Sequence, residues 1–295
     1  MKPQKVIISK DLQQSLDEAI AACKYDVLFV LCDETTERLC LPVVTDYECM
    51  KPAHRIVIKD TDTNKTLDSV THVWSELQRL GATRHSLMIN LGGGMVTDLG
   101  GFAASTFKRG IQYINIPTTL LSMVDASVGG KTGFNFGGLK NEIGVFNNAS
   151  SVILDATFLR TMDHENLLSG YAEMLKHALI SNDKMWAELL NFEIGNWKFE
   201  VYDNTEQIKN VKLQTSNFKL GQMVAKSVAV KQRIVTEDPT EQGIRKALNL
   251  GHTAGHAFES MALEHKPVLH GYAVADGLIV EHIQPVVQDR PDRFL

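Results

Sequence analysis

Short apolar runs alternate with helical segments through the first half of the chain, and this alternation restricts the possible folds more than any other feature. The segments between the runs, such as DLQQSLDEAIAACK and TLDSVTHVWSELQRLG, have helical periodicity. Strands separated by helices pair in parallel, with helices covering the sheet. We therefore predict an α/β, Rossmann-like domain with a mostly parallel sheet over residues 1–155. Its strands are KVIIS, DVLFVLC, HRIVIK, SLMINL, YINIP and SVILD.

After about residue 155 the pattern becomes helical. Apolar residues recur every three to four positions, and strand signals are few. We predict a second, all-α domain over residues 156–295, in which NLGHTAGHAFE belongs to one buried helix. The final QPVVQDRPDRFL has two prolines, mixed charge and no periodicity, so we expect an irregular tail. The helical segments are DHENLLSGYAEMLKHALI, NDKMWAELLNFEI, NVKLQTSNFKLGQMVAKSVAVKQRIVTED and GIRKALNLGHTAGHAFESMALEH.

The composition disfavours several classes of function. The 295 residues carry a formal charge of −5, so we expect no nucleic acid and no anionic membrane as partner, and only local clusters of Lys and Arg to bind anions. No apolar run is long enough for a membrane span, and MKPQKVIISKDLQQSL is not a signal peptide. The four cysteines form no CxxC pair. We expect reduced thiols and a cytoplasmic location.

Two glycine-rich loops indicate phosphate binding. GGGMVTDLGG follows a predicted strand and opens a helix, which is the usual place for a dinucleotide pyrophosphate, although Thr97 occupies the third glycine position of the GxGxxG motif. A tight turn would also explain these glycines. VDASVGGKTG ends like a Walker loop but has Asp125 in place of the first glycine. Its Gly129-Gly130-Lys131 suits a phosphorylated substrate better than ATP.

Several ionisable residues stand in apolar contexts. Glu173 and Lys176 are three residues apart on an apolar helix, so we expect them to face the interior, where a carboxylate needs a partner or a metal. His252 and His256 are four apart and share a helix face, which Asn249 joins. A lone helical histidine is usually structural. Glu plus two His nevertheless makes a plausible open zinc site, for which spacing alone favours His252 and His256.

The longer blocks of the sequence resemble the motifs of the 3-dehydroquinate synthase family. They are, in order, GGGMVTDLGGFAASTFKRG, PTTLLSMVDASVGGKTGFN, LKNEIGVF, YAEMLKHALI and NLGHTAGHAFE followed by LHGYAVADGL. The similarity runs from about residue 90 to 280 and is looser before that, through LCDETTE and DTNKTLDSV. It implies an NAD- and zinc-dependent cyclase acting on 3-deoxy-D-arabino-heptulosonate 7-phosphate. Transient oxidation, phosphate elimination, re-reduction and an aldol closure would give 3-dehydroquinate without net redox change.

The resemblance also implies roles for individual residues. Glu173, His252 and His270 match the metal ligands, which overrules the choice made from spacing, and zinc could be replaced by cobalt or another divalent cation. His256 then matches a proton-relaying residue beside the substrate, and the other catalytic matches are Lys131, Lys176 and Asn249. The implied substrate contacts are Asp125, Lys140, Asn141, Lys231 and Arg245, with Arg109 near the phosphate. The cofactor matches are Asp33, Lys65, Gly93, Gly94, Met95, Asp98, Thr118, Thr119 and Leu121.

The chain departs from the family in places, and other functions stay open. Thr35 stands where Asn is common, and Asp276 stands where a small or apolar residue is usual. Family chains continue through further helices with a late lysine, so we expect reduced activity or stability if nothing replaces them. The alternatives are another sugar-phosphate cyclase, a polyol dehydrogenase using NAD and a metal, and a non-catalytic remnant that binds metal. We expect a phosphorylated sugar acid as substrate and a homodimer.

Overall fold

A computed structural model describes residues 4–192, 215–262 and 268–289. Its first half is a six-stranded sheet in which every neighbouring pair of strands is parallel; the strands lie in the order Lys5–Ile8, Ser151–Leu154, Gln112–Pro117, Leu87–Gly92, Leu28–Asp33 and His54–Ile58. All six predicted strands are present, so the prediction of a parallel α/β fold is confirmed. The strands are β1 (Lys5–Ile8), β2 (Leu28–Asp33), β3 (His54–Ile58), β4 (Leu87–Gly92), β5 (Gln112–Pro117) and β8 (Ser151–Leu154).

Helices cover the sheet between its strands. Every residue of β2 and β4 is buried, as expected for central strands covered on both faces. Each buried Leu, Ile or Val there contributes roughly 1.5–3 kcal/mol through the hydrophobic effect. The helices of this half are α1 (Leu12–Ala21), α2 (Glu34–Leu39), α3 (Leu41–Val44), α4 (Leu67–Arg79) and α5 (Gly94–Thr106).

The order of the strands creates a crevice between β2 and β4. From β2 the chain moves outward to β3 and then returns to the other side of β2 to form β4 and β5. Helices that follow neighbouring strands on either side of such a reversal leave the sheet on opposite faces. The carboxyl ends of β2 and β4 therefore border a natural ligand site.

An antiparallel hairpin, which the sequence analysis did not predict, crosses from the sheet towards the second half of the chain. It consists of β6 (Lys131–Phe136) and β7 (Leu139–Phe146). Gly137 and Gly138 connect the strands with positive φ angles of 60° and 82°, which a two-residue hairpin turn requires. Most of β7 is exposed, and its sequence LKNEIGVF has three polar residues in a row. It therefore lacks the regular alternation of apolar and polar residues that indicates a strand.

The described part of the chain after Leu154 is helical, as predicted. Its helices are α6 (His164–Leu179), α7 (Asp183–Leu190), α8 (Thr215–Glu237), α9 (His252–Ala262) and α10 (His270–Asp289). The division into domains at residue 155 stays a prediction. None of the helices within the described ranges is long and apolar enough to cross a membrane.

Two predictions about the second half are wrong. NLGHTAGHAFE is not one buried helix, because a 3₁₀ turn over Ile244–Asn249 ends before Gly251, whose φ of 78° breaks the helix. Asn249 therefore does not share a face of α9 with His252, and α9 itself is only partly buried. The predicted irregular tail begins too early, since α10 continues to Asp289. The rest of that prediction, residues 290–295, lies outside the described residues.

Candidate active site

Three helices bring together one carboxylate and two imidazoles. Glu173 on α6 lies 3.8 Å from His252 Nε2 and 3.5 Å from His270 Nε2, measured to its Oε1. His252 and His270 are the first residues of α9 and α10. One donor atom from each of the three side chains lies within 4.8 Å of the others. This is the ligand set that the family resemblance implied, gathered here by helix packing.

Glycines allow the three helices to approach closely enough. A Cβ at Gly271 would lie 1.9 Å from the carbonyl oxygen of Ser169 on α6, and one at Gly277 would lie 2.0 Å from that of Gly251. Asp163 caps α6 by accepting a hydrogen bond from the Asn166 amide at 2.7 Å. This cap fixes the residue at which α6 begins. Ten residues after the cap, Glu173 faces His252 of α9 and His270 of α10.

His256 belongs to the same cluster but has different neighbours. Its ring centroid lies 5.3 Å from that of His252 and 5.8 Å from that of His270. It forms a second possible ligand group with Glu259 and His270. In that group Glu259 already accepts a hydrogen bond from Lys140 at 3.0 Å and lies 3.4 Å from His270 Nδ1.

The donor set around Glu173 fits a divalent metal better. Glu173 is completely buried, and its Oε1 accepts no hydrogen bond within the described part of the chain. A buried carboxylate oxygen without a donor is costly unless a cation approaches it. One carboxylate and two imidazoles with room for further oxygen ligands form the kind of site that zinc uses in catalysis.

The charges around this cluster suit metal binding. Burial alone would raise the pKa of Glu173, but the adjacent Lys176 ammonium holds it well below its usual range. Burial, helped by Lys176, lowers the pKa of His252 to about 4, so its ring is neutral and able to donate a lone pair at neutral pH. Burial also opposes protonation of His270, yet the carboxylates of Glu173 and Glu259 raise its pKa to about 9. Metal and proton therefore compete at His270.

Two buried cations lie next to the cluster. Lys231 on α8 donates to Asp125 Oδ1 at 2.5 Å, and Asp125 stands in a π-helical turn after β5. Asp125 is half-buried, which would raise its pKa, but Lys231 and Lys176 keep that pKa well below the usual range. Arg245 donates to the carbonyl oxygens of Gly129 at 2.9 Å and Pro239 at 2.6 Å. The contacts with Asp125 and Gly129 join the first half of the chain to the second.

Two further cations are accessible. The side chain of Lys131 is 49% exposed and forms an ion pair with Glu241. That of Lys140 is 37% exposed, between Glu259 and Asp62. Both lie on the hairpin, and each is matched by a carboxylate that an anionic ligand could displace.

The structure does not bring every predicted residue into this group. Asn249 is exposed and donates to Glu241 Oε1 at 2.5 Å, which places it beside Lys131 on the rim of an open depression of about 670 Å³. Arg109 is exposed after α5 with a φ of 70°, and within the described ranges it has no hydrogen bond or ion pair to another predicted site residue. Asn141 accepts a hydrogen bond from Lys65 at 2.5 Å and so lies nearer the predicted cofactor residues.

The predicted cofactor residues border the crevice between β2 and β4. Asp33 ends β2 and caps α2, and Gly93 is the N-cap of α5 without a side-chain cap. A Cβ at Gly93 would lie 3.2 Å from Thr119, and one at Gly94 would lie 3.3 Å from Ala126, so glycine keeps open a cradle at a helix N-terminus. The remaining matches surround this cradle: Met95 and Asp98 on α5, and Thr118, Thr119 and Leu121 after β5.

A buried ion pair connects the cradle to the cations. Lys65 is 3% exposed and donates to Asp98 Oδ2 at 2.5 Å. Burial raises the pKa of Asp98, while Lys65 and also Lys231 act to lower it. The glycine cradle at the start of α5 and the cationic group are therefore contiguous. Thr35, which departs from the family, donates to Asp60 at 2.8 Å.

Sequence reasoning missed three residues. Glu241 and Glu259 pair with the accessible lysines, and His177 is completely buried beside Ser227 Oγ at 2.7 Å. Glu259 follows His252 and His256 on one helical face, and that spacing could have indicated it. Glu241 carried no such signal, because its neighbours come from other parts of the chain.

Comparisons with known proteins show which family the chain resembles. Family models described as the N-terminal and C-terminal parts of 3-dehydroquinate synthase match residues 55–169 and 170–285. A 3-dehydroquinate synthase from Parabacteroides distasonis is 50% identical over 282 residues, which are 95% of this chain and 75% of that protein. One from Pyrococcus furiosus is 41% identical over 276 residues, which are 93% of this chain and 75% of that protein.

A solved structure extends the comparison to ligands. It is 2-epi-5-epi-valiolone synthase from Streptomyces hygroscopicus subsp. jinggangensis with bound NAD+ and Zn2+. Its TM-score is 0.76 at 26% identity, over 94% of this chain and 73% of that one.

Proposed function

The chain belongs to the 3-dehydroquinate synthase family, and we propose that the residues gathered around Glu173 carry out that family's reaction. Its function is the conversion of 3-deoxy-D-arabino-heptulosonate 7-phosphate into 3-dehydroquinate and phosphate, with NAD and a divalent metal as cofactors. The observation that carries the assignment of residues is the buried, unpaired Glu173 Oε1 facing His252 and His270 beside several cations.

Glu173, His252 and His270 would hold the metal, and the crevice between β2 and β4 would hold NAD. When bound, these groups acidify a substrate hydroxyl and accept and return its hydride, which makes the neighbouring hydrogen acidic. Lys176 keeps Glu173 ionised in its buried position. Asp33 and the cradle at Gly93 and Gly94 would orient the dinucleotide.

The cations suit a substrate with two anionic groups. Lys131 and Lys140 are accessible, while Arg245 and Lys231 are buried. A phosphate and a carboxylate entering this region would replace Glu241, Glu259 and Asp125 as partners of Lys131, Lys140 and Lys231. A neutral polyol has no negative charge with which to replace these carboxylates.

Two groups are suited to accept protons during the reaction. Burial lowers the pKa of His256, so its ring is neutral at neutral pH, and it lies in the imidazole cluster without contacting Glu173. Burial alone would raise the pKa of Glu241, but the adjacent Lys131 and Asn249 outweigh this effect and lower the pKa below its usual value, so the carboxylate is ionised. A neutral imidazole and a carboxylate at separate places can take protons at different steps.

We also propose the class, location and assembly of the protein. Loss of phosphate across a carbon–oxygen bond would make the enzyme a lyase. The four cysteines are unpaired, which suits a reducing cytoplasm. The exposed Arg109 is available to an adjacent subunit in a homodimer. Light scattering on the purified protein tests the assembly, and a monomeric mass would contradict it.

The activity test mixes the protein with NAD, zinc and the heptulosonate phosphate. We expect phosphate and 3-dehydroquinate to appear in equal amounts, with no accumulation of NADH. Absence of phosphate release from a folded, metal-loaded sample would defeat the catalytic proposal. Accumulation of NADH without phosphate would indicate a polyol dehydrogenase, and preferential turnover of a neutral sugar phosphate would indicate another cyclase.

A further inference from the structure

Glu259 is a buried carboxylate with two partners from different parts of the fold. It lies on α9 and is 3% exposed. Its Oε1 accepts a hydrogen bond from Lys140 Nζ at 3.0 Å, and Lys140 belongs to the hairpin. Its Oε2 lies 3.4 Å from His270 Nδ1, at the start of α10. One side chain thus connects the hairpin to the candidate metal ligands.

The contact with Glu259 determines which nitrogen of His270 is free. An ionised carboxylate only accepts hydrogen bonds, so the Nδ1 that bonds to it must carry the proton. When a metal displaces the second proton of the ring, the lone pair lies on Nε2, which faces Glu173 Oε1 at 3.5 Å. Imidazoles that bind metals commonly donate their other N–H to a carboxylate in this way.

We propose that Glu259 is a positioning residue that fixes the tautomer and orientation of His270 and connects the metal site to Lys140 on the hairpin. This inference rests on the proposed function only in that Glu173, His252 and His270 bind the metal. The positioning role requires a carboxylate at residue 259 rather than an amide, because both partners of Glu259 are hydrogen-bond donors. A glutamine offers one acceptor oxygen, so either Lys140 or His270 would face its NH₂ group.

Zinc affinity of the metal-free protein tests the proposal, measured by competition with a chromophoric chelator in the absence of substrate. We expect Glu259→Gln to weaken the zinc Kd about 10- to 100-fold. Lys140→Met alone leaves Glu259 on His270 and should keep the original Kd. The double variant Lys140→Met/Glu259→Gln frees the amide oxygen for His270 and should recover most of the affinity, although Lys140 is lost from the substrate site.

A matched control separates this effect from general loss of structure. Glu188→Gln removes a carboxylate of α7 that pairs with Lys226 on α8, and should not change the zinc Kd, because within the described ranges Glu188 has no hydrogen bond or ion pair with Glu173, His252 or His270. An unchanged Kd in Glu259→Gln, with wild-type protein binding zinc, would overturn the inference but leave the proposed function intact. Failure of the wild-type protein to bind zinc would instead contradict the proposed metal site.

A second measurement uses only the wild-type protein, so it tests the proposal even if Glu259→Gln does not fold. ¹⁵N spectra of histidine-labelled, zinc-loaded wild-type protein should show His270 with a protonated Nδ1 and a metal-bound Nε2. The opposite assignment, with metal on Nδ1, would overturn the role of Glu259.

Discussion

At the scale of single residues, the three histidines of the site differ by their neighbours and not by their spacing. Their ring centroids lie 5.1 to 5.8 Å apart, so mutual distance does not determine which two bind a metal. His252 and His270 face the unpaired oxygen of Glu173, whereas His256 faces the group that contains Glu259. A metal site is defined by all its ligands together.

His270→Ala and His256→Ala should therefore have different effects. We expect His270→Ala to lose zinc, because a ligand is removed. His256→Ala should keep zinc and lose roughly 10²- to 10⁴-fold in rate, as expected for loss of a proton acceptor. Metal content by atomic emission and phosphate release by a coupled assay measure the two properties. The reverse pattern would support the pair that spacing alone favoured.

His177 should make stability depend on pH. Burial, with the charge of Lys176, lowers its pKa to about 3, below the usual value of 6.5. The unfolded chain therefore takes up this proton first as pH falls, and stability is lost below about pH 6.5 at about 1.4 kcal/mol per pH unit. In the metal-free protein, His177→Gln should reduce the loss of unfolding free energy between pH 7 and pH 5 by about 2 kcal/mol.

Urea unfolding at the two pH values measures this effect. The same substitution at an exposed histidine, His85→Gln, is the control for the change of residue type. An equal loss of stability in His177→Gln and the wild-type protein would contradict the assignment.

At the scale of elements, the site depends on the close packing of α6, α9 and α10. Gly255 and Gly277 stand where these helices touch, and a Cβ at Gly255 would lie 2.9 Å from the carbonyl oxygen of Ala273. Since His252 and His270 are the first residues of their helices, a small change in helix separation moves both imidazoles relative to Glu173. The glycines of the second half therefore serve the site through packing.

Gly271→Ala should reveal this dependence. Its Cβ would approach the Ser169 carbonyl oxygen, so α10 must shift, and we expect a loss of about 1–3 kcal/mol in unfolding free energy. Zinc affinity should fall as well, because His270 is the adjacent residue. Urea unfolding and chelator competition measure the two changes.

Gly221→Ala on α8 is the matched control, since nothing lies within 4 Å of its added Cβ. It should stabilise the protein by up to about 1 kcal/mol, the usual difference between Gly and Ala in a helix, and leave zinc affinity unchanged. Equal effects of the two substitutions would show that helix separation does not control the site.

At the scale of the whole molecule, the site lies where the sheet-containing half meets the helical half. Asp125 and Gly129 come from the first half, and Lys231 and Arg245 from the second. These contacts replace water around buried charges, so each side chain depends on its partner in the other half.

Lys231→Met should therefore be strongly destabilising. It removes the hydrogen-bonded cation of Asp125, whose side chain is 22% exposed, so we expect a loss near the lower end for a broken buried pair, about 3 kcal/mol in unfolding free energy. Lys231→Met/Asp125→Asn removes the uncompensated charge as well and should recover part of that loss. A double-mutant cycle by urea unfolding measures the coupling. Additive losses would show that the two residues do not stabilise each other.

The sequence by itself determined the parallel sheet, the helical second half and the glycine loop before α5, because strands, helices and turns follow from local periodicity and backbone freedom. The family motifs also indicated Glu173, His252 and His270. Only the tertiary structure showed that these three face one another, that Asn249 lies outside α9, and that Glu259 and Glu241 complete the group. Contacts between residues far apart in the chain depend on how closely the helices pack. At Gly251, Gly271 and Gly277 the distance between helices is limited by atoms of residues distant in sequence, which a local sequence pattern does not include.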